Sequence, residues 1–137
     1  MSTIVIVGAN QGIGFYLAQS LLRMNHSVAV PDIKLHNLEK LRAHYPERLL
    51  PILADSQDLE SIQQGVALVH EKWGDLDVAI HNACLCTFDS EPDTDYDTYK
   101  KVMDINFFGA LRLAKTVLPL MRRAGHGRVF FQVPASG

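Results

Sequence analysis

Two rhythms of apolar residues alternate along the chain: short β-branched runs, and longer stretches that repeat by three and four. Thr3-Ile4-Val5-Ile6-Val7 is apolar almost throughout, the composition of a strand buried on both faces. Gly8, Gly12 and Gly14 follow, and Ile13, Leu17 and Leu21 then recur at helical spacing. Met24-Asn25-His26 reads as a stop before a second strand, Ser27-Val28-Ala29-Val30, with Pro31-Asp32 at its end. Leu35, Leu38 and Leu41 predict a short helix closed by Tyr45-Pro46. Arg48 to Leu53 predicts a third strand, with Pro51 near its start, where a proline is tolerable. Leu59, Ile62, Val66, Val69 and Trp73 mark an amphipathic helix, entered through Asp55 and Ser56 as capping residues. Val78-Ala79-Ile80 predicts the fourth strand. A helical stretch from Tyr99 to about Ala124 ends at Gly125-His126-Gly127, and Arg128 to Val133 predicts the fifth strand.

Five strands alternating with four helical stretches imply an α/β fold of parallel βαβ units with right-handed crossovers. The expected architecture is a Rossmann-type, three-layer α/β/α sandwich with sheet order 3-2-1-4-5. Its crevice would lie at the carboxyl ends, between the first and fourth strands. The 137 residues fit one domain, 1–137, long enough to bury a sizeable core.

Composition narrows the function classes. Apolar residues make up 47% and charged residues 20%, as in ordinary soluble proteins. The net charge of −2, without any Lys/Arg block, argues against nucleic-acid and anionic-membrane surfaces. The first apolar run breaks at Gly8 and lacks a basic flank, so it predicts neither a signal peptide nor a membrane span. Cys84 and Cys86 are too close for a disulfide framework, and a reducing, cytoplasmic setting is expected.

The candidate chemistry begins at the first strand end. A strand, a glycine turn and a helix start together form an anion site, because close-approaching N–H groups and the helix dipole both favour phosphate. Asp32, 24 residues after Gly8, stands where a dinucleotide fold places an acid against the adenosine ribose. The alternative is a surface turn residue beside a proline. His81, Cys84 and Cys86 spell H-x-x-C-x-C, but structural zinc needs four ligands and no fourth is evident, so no metal is expected. The acidic stretch from Thr87 to Asp97 reads as a solvated loop. The last helix carries two apolar stripes: Phe107, Leu111, Ala114, Leu118, Met121, and Ala110, Leu113, Val117, Leu120, Ala124. One stripe suffices for a surface helix, so the second predicts a partner.

Four motifs together resemble the short-chain dehydrogenase/reductase family. Gly8 to Gly14 is similar to its G-x-x-x-G-x-G loop, and Leu76 to Cys84 to its "LDVLVNNAG". Asp104 to Gly109 is similar to "DVNLxG", and Val117 to Met121 to "VLPxM". The resemblance runs from about Thr3 to Gly137 and covers the N-terminal, dinucleotide-binding half of a usual member. It implies an NAD(P)-dependent oxidoreductase that transfers hydride between an alcohol and a carbonyl. Gly8, Asn10, Gln11, Gly12, Ile13 and Gly14 would then cradle the pyrophosphate. Asp32 and Ile33 would border the adenosine ribose, Asp55 and Ser56 the adenine, and Asn82, Ala83 and Cys84 the inner ribose. Asn106 would be catalytic, kinking its helix and holding a water in the proton relay. Asp32, with an uncharged Gln11 where many NADP-using relatives carry a basic residue, implies NAD as cofactor and NADP less so, although Lys34 lies nearby. The helix over 106–124 would pair subunits in a homo-oligomer.

Departures from the family pattern are visible as well. His81 stands for an Asn, and Cys84 for a glycine whose missing side chain makes room for the cofactor. Pro134 falls at the catalytic Ser position, with Ser136 two residues on, and no Tyr or Lys occurs after Lys115. The expectation is therefore a sheet without the family's last strands, an open edge at Val129-Phe130-Phe131, and weak or no activity for this chain alone. A non-catalytic nucleotide-binding or subunit-pairing module is the alternative. An S-adenosylmethionine methyltransferase, which shares a glycine loop and an acid after the second strand, is the third reading.

Overall fold

The structure is a computed structural model that describes residues 1–84 and 95–132. Five parallel strands, β1 (Thr3–Val7), β2 (Ser27–Asp32), β3 (Leu49–Leu53), β4 (Val78–His81) and β5 (Arg128–Phe131), form one sheet ordered β3-β2-β1-β4-β5. The helices are α1 (Gly12–Arg23), α2 (His36–Arg42), α3 (Leu59–Trp73), α4 (Tyr96–Met103) and α5 (Gly109–Ala124), the last two joined by a π turn over Asp104–Phe108. This is the Rossmann-type α/β arrangement that the alternating pattern implies.

Alternation within β1 builds the three layers. Ile4 and Ile6 pack with Val28, Val30, Ala18, Leu22, Leu38 and Leu41 on the side of α1 and α2. Val5 and Val7 pack with Ala79, Ile62, Val66, Val69, Leu113 and Val117 on the side of α3 and α5. Each such fully buried aliphatic side chain is worth about 1.5–3 kcal/mol, so the central strands anchor both faces.

Several elements differ from expectation for identifiable reasons. Of the apolar series Ile13, Leu17, Leu21, the last two are partly buried against the core while Ile13 is 71% exposed; the fully buried positions of α1 are Gly14, Ala18 and Leu22. Small residues bring the helix close to the sheet, and a pattern read for large apolar groups passes over them. β2 runs on through Pro31 to Asp32, past its last pair with β1 at Ala29. Pro51 sits mid-strand rather than near a start; β3 is an edge of the sheet, where a missing N–H costs no ladder bond on the open side. The cap of α3 is Asp58, which accepts from Glu60 N–H, and not Asp55 or Ser56. Asp55 instead folds the preceding turn by accepting from Gln57 N–H at 2.9 Å. The last helical stretch begins earlier, at Tyr96, capped by Asp95, and it is interrupted by the π turn. The fifth strand ends at Phe131, and Val133 lies outside the described residues.

Candidate functional site

The glycine loop is knotted to the end of β4. Gly8 has φ +84°, and a Cβ there would lie 2.7 Å from Ala83 Cα. The Asn82 amide donates to the Gly8 carbonyl at 2.7 Å, while Asn82 N–H donates to the Val7 carbonyl. A Cβ on Gly14 would run into that amide and come within 2.7 Å of the Gly8 oxygen. Gly8 and Gly14 therefore let β1, α1 and β4 meet without side chains between them. Gly12, by contrast, faces open space.

Asp32 and Asn10 brace the second side of the loop. One Asp32 carboxylate oxygen accepts from Asn10 N–H (3.0 Å) and the other from Lys34 N–H (3.1 Å). Asn10 is buried, and its side-chain oxygen accepts from Asn37 and Leu38 N–H at the start of α2. Its carbonyl accepts from the Asn37 amide. Asn10 thus positions α2 against the loop, with both its N–H and its side chain already committed.

These elements surround a cavity of about 530 Å3, within the usual range of small-molecule sites, about 300–1,000 Å3. Its wall includes Gly8, Asn10, Gln11, Gly12, Ile13, Asp32, Ile33, Asp55, Ser56, Asn82, Ala83 and Cys84. Of the residues singled out for cofactor contact, Gly14 alone stays out of the wall, buried under the loop. Val7, Pro31 and Ala54 also line it, together with Lys34, Gln57, Lys101, Ile105 and Gln132. The sequence does not single out the last four as site residues, since their approach to the loop depends on how distant elements pack. The glycine loop and Asp32 on one wall are donor and acceptor groups of the kind a dinucleotide would need. Gln11 makes no side-chain cap, so the unpaired first-turn N–H groups of α1 open toward the loop.

Asn106 lies in the π turn, partly buried and not in the cavity wall; its neighbour Ile105 is. The π turn interrupts the helical stretch over the residues that include Asn106. Arg112 donates to the Asp104 carboxylate, and Gln57 donates to the same group at 2.9 Å. The Arg112 hydrogen bond, aided by Gln57, holds the Asp104 carboxyl below the usual carboxylate range. His81 is 1% exposed, and its Nε2 lies 3.0 Å from the Ile105 carbonyl, so Nε2 carries the proton. Burial lowers the His81 pKa, against the opposing pull of that carbonyl. Its Nδ1 has no hydrogen-bond partner among the described residues. Such an orphan costs about 1–3 kcal/mol, more than one neutral hydrogen bond returns at about 0.5–1.5. Among the described residues no three His, Cys, Asp or Glu side chains gather as metal ligands. Cys86, Pro134 and Ser136 lie outside the described residues.

With this geometry in view, comparison with known proteins assigns the family. The sequence profile of the short chain dehydrogenase family matches residues 2–133. The chain belongs to the short-chain dehydrogenase family. It is 32% identical over 133 residues to Oxidoreductase BOA17 of Botryotinia fuckeliana, covering 96% of this chain and 48% of that protein. Oxidoreductase UcpA of Salmonella typhimurium is 31% identical over 141 residues, covering 98% and 52%. A solved short-chain dehydrogenase from Streptomyces avermitilis superposes with a TM-score of 0.88 at 28% identity, over 93% of this chain and 47% of its own. An alcohol dehydrogenase from the archaeon Thermococcus sibiricus, solved in complex with 5-hydroxy-NADP, gives 0.86 at 26% identity, over 95% and 57%. The chain spans about half the length of the relatives it matches. Membership in this dehydrogenase family displaces the methyltransferase reading. Among the described residues no helix is long and apolar enough to cross a membrane.

Proposed function

We propose that this chain binds NAD in the cavity at the carboxyl ends of β1 and β4, as the nucleotide-binding half of a short-chain oxidoreductase acting on an alcohol or carbonyl. The observation that carries the reading is the uncapped start of α1 on a glycine turn, opening into a cavity with Asp32 on its wall. The N–H groups of Gly12 and Ile13 would hold the pyrophosphate, with Gly8, Asn10 and the buried Gly14 shaping the turn and Gln11 bordering it. Asp32 spends one lone pair per oxygen on Asn10 and Lys34, and a carboxylate has about four acceptor sites. The remaining ones would accept from the ribose hydroxyls and repel a 2′-phosphate, with Ile33 alongside. Asp55 and Ser56 would flank the adenine, and Asn82, Ala83 and Cys84 the inner ribose.

Bound NAD supplies the hydride chemistry; the protein's part is to bind and orient it. Asn106 would serve proton transfer from the π turn. A cytoplasmic setting suits the two closely spaced cysteines.

The test is a side-by-side titration of the whole chain with NADH, NADPH and S-adenosylmethionine, read by ligand fluorescence and calorimetry. NADH is expected to bind at least about tenfold more tightly than NADPH, a difference of about 1.4 kcal/mol. Asp32→Ser narrows that gap. Absence of NADH binding overturns the reading. A second reading, a non-catalytic subunit-pairing module, is favoured by the exposed row of Phe107 in the π turn and Leu111 and Leu118 on α5. It predicts association through the helix over 106–124 without turnover.

A further inference from the structure

The π turn between α4 and α5 is held from outside its own ladder. Gly109 N–H donates to the Asp104 carbonyl five residues back. A π turn packs an extra residue into the helix and gives up regular pairing, so it persists where other groups over-determine it. Two side chains meet the carbonyls of this turn. The His81 ring donates to the Ile105 carbonyl at 3.0 Å. Arg112 donates to the Asp104 carbonyl at 3.1 Å, to the Asp104 carboxylate, and to the Ser56 carbonyl at 2.9 Å. Gly109 makes the room: a Cβ there would lie 2.9 Å from His81 Cε1. An apolar side chain in the place of His81 would leave no orphaned nitrogen. What the imidazole adds is the donor to Ile105.

We propose that His81 and Arg112 are positioning residues that keep residues 104–108 in π register, and so fix the cavity wall at Ile105 and the place of Asn106. Removing the extra residue would turn the preceding segment by roughly 100° about the axis relative to α5. That rotation would carry Ile105 and Lys101 away from the cavity they line. The inference deepens the proposed nucleotide site and rests on it for its consequence, while the register itself is measurable without nucleotide.

The experiment compares the whole chain with His81→Leu, His81→Gln and Arg112→Met by NMR chemical shifts and amide hydrogen exchange. Glutamine extends its amide nitrogen to about the reach of Nε2, so it keeps the donor. In His81→Leu and Arg112→Met, shifts over residues 104–108 change and Gly109 amide protection falls about tenfold or more, while Val30 and Val66 keep theirs. His81→Gln restores the wild-type pattern. Unchanged shifts over 104–108, failure of glutamine to restore them, or an equal loss of protection at Val30 and Val66 overturns the assignment. Should His81→Leu fail to fold, Arg112→Met, on a partly exposed side chain, decides by the same readout. A parallel NADH titration reads the cavity wall: affinity falls about tenfold in the register-altered variants and returns with glutamine. A lost register with unchanged affinity overturns the link to the wall. If the wild type binds no NADH, the proposed function fails, and the nucleotide-free register measurement still decides the pin.

Discussion

Gly14 lets α1 lie against the glycine loop and the end of β4, where any side chain would intrude. Replacing it with alanine would favour the helix by about 1 kcal/mol in propensity, but the new methyl meets the Gly8 carbonyl and the Asn82 amide, and overpacking costs about 1–3 kcal/mol. We expect Gly14→Ala to lower the urea midpoint and to weaken NADH binding about tenfold or more. His81 makes a second residue-scale prediction. Its pKa in the folded state is lowered by burial, so the unfolded chain takes up a proton that the folded one resists. The stability it contributes is full above about pH 6.5 and is lost as pH falls from there through the folded-state value. His126, paired with Asp77 at 2.8 Å, behaves oppositely: that hydrogen bond raises its pKa, and its contribution fades as pH rises through the raised value. His126 is exposed, so screening leaves it the smaller effect. Denaturation midpoints of wild type and His81→Gln between pH 7.5 and about 5 should therefore diverge, the wild type losing more on acidification.

At the scale of elements, short apolar runs and three-to-four repeats locate the five strands and most helices, because those signals reflect which side chains meet the core. What stayed illegible depended on partners distant in sequence. The buried side of α1 is Gly14, Ala18 and Leu22, chosen by closeness to the sheet and not by apolar bulk. Asp55, Ser56 and Asp58 are all competent caps, and only the turn held by Asp55 shows that Asp58 takes the role. Asn10 falls inside the glycine loop by position, yet its side chain serves α2. The two stripes separate only in part: Ala110, Leu113 and Val117 are buried and Phe107, Leu111 and Leu118 are exposed, but Met121, read with the exposed stripe, is buried, and Leu120 and Ala124 are only partly so. An apolar row of this kind on a helix is expected to pack against a partner. We expect sedimentation to show self-association that Leu111→Glu combined with Leu118→Glu abolishes, with the helical CD signal retained. A monomeric wild type would contradict the subunit-pairing reading.

For the whole molecule, the parallel sheet explains why residues as distant as Gly8, Asp32, Ser56 and Ala83 share one cavity. Each follows a strand or stands at its carboxyl end, and parallel strands deliver those ends to one side. The order β3-β2-β1-β4-β5 puts the reversal between β1 and β4, where the loop and Asn82 meet. Family membership rests on the profile match over residues 2–133 and on the relatives, while the proposed preference for NAD rests on Asp32. The central claim is that the start of α1 receives a pyrophosphate. NMR titration of the labelled chain with NAD tests it most directly. The account predicts saturable shifts of the Gly12, Ile13 and Gly14 amides together with residues around Asp32 and Ala83. Saturable shifts elsewhere that leave those amides unmoved, or no saturable shifts at all, would contradict it.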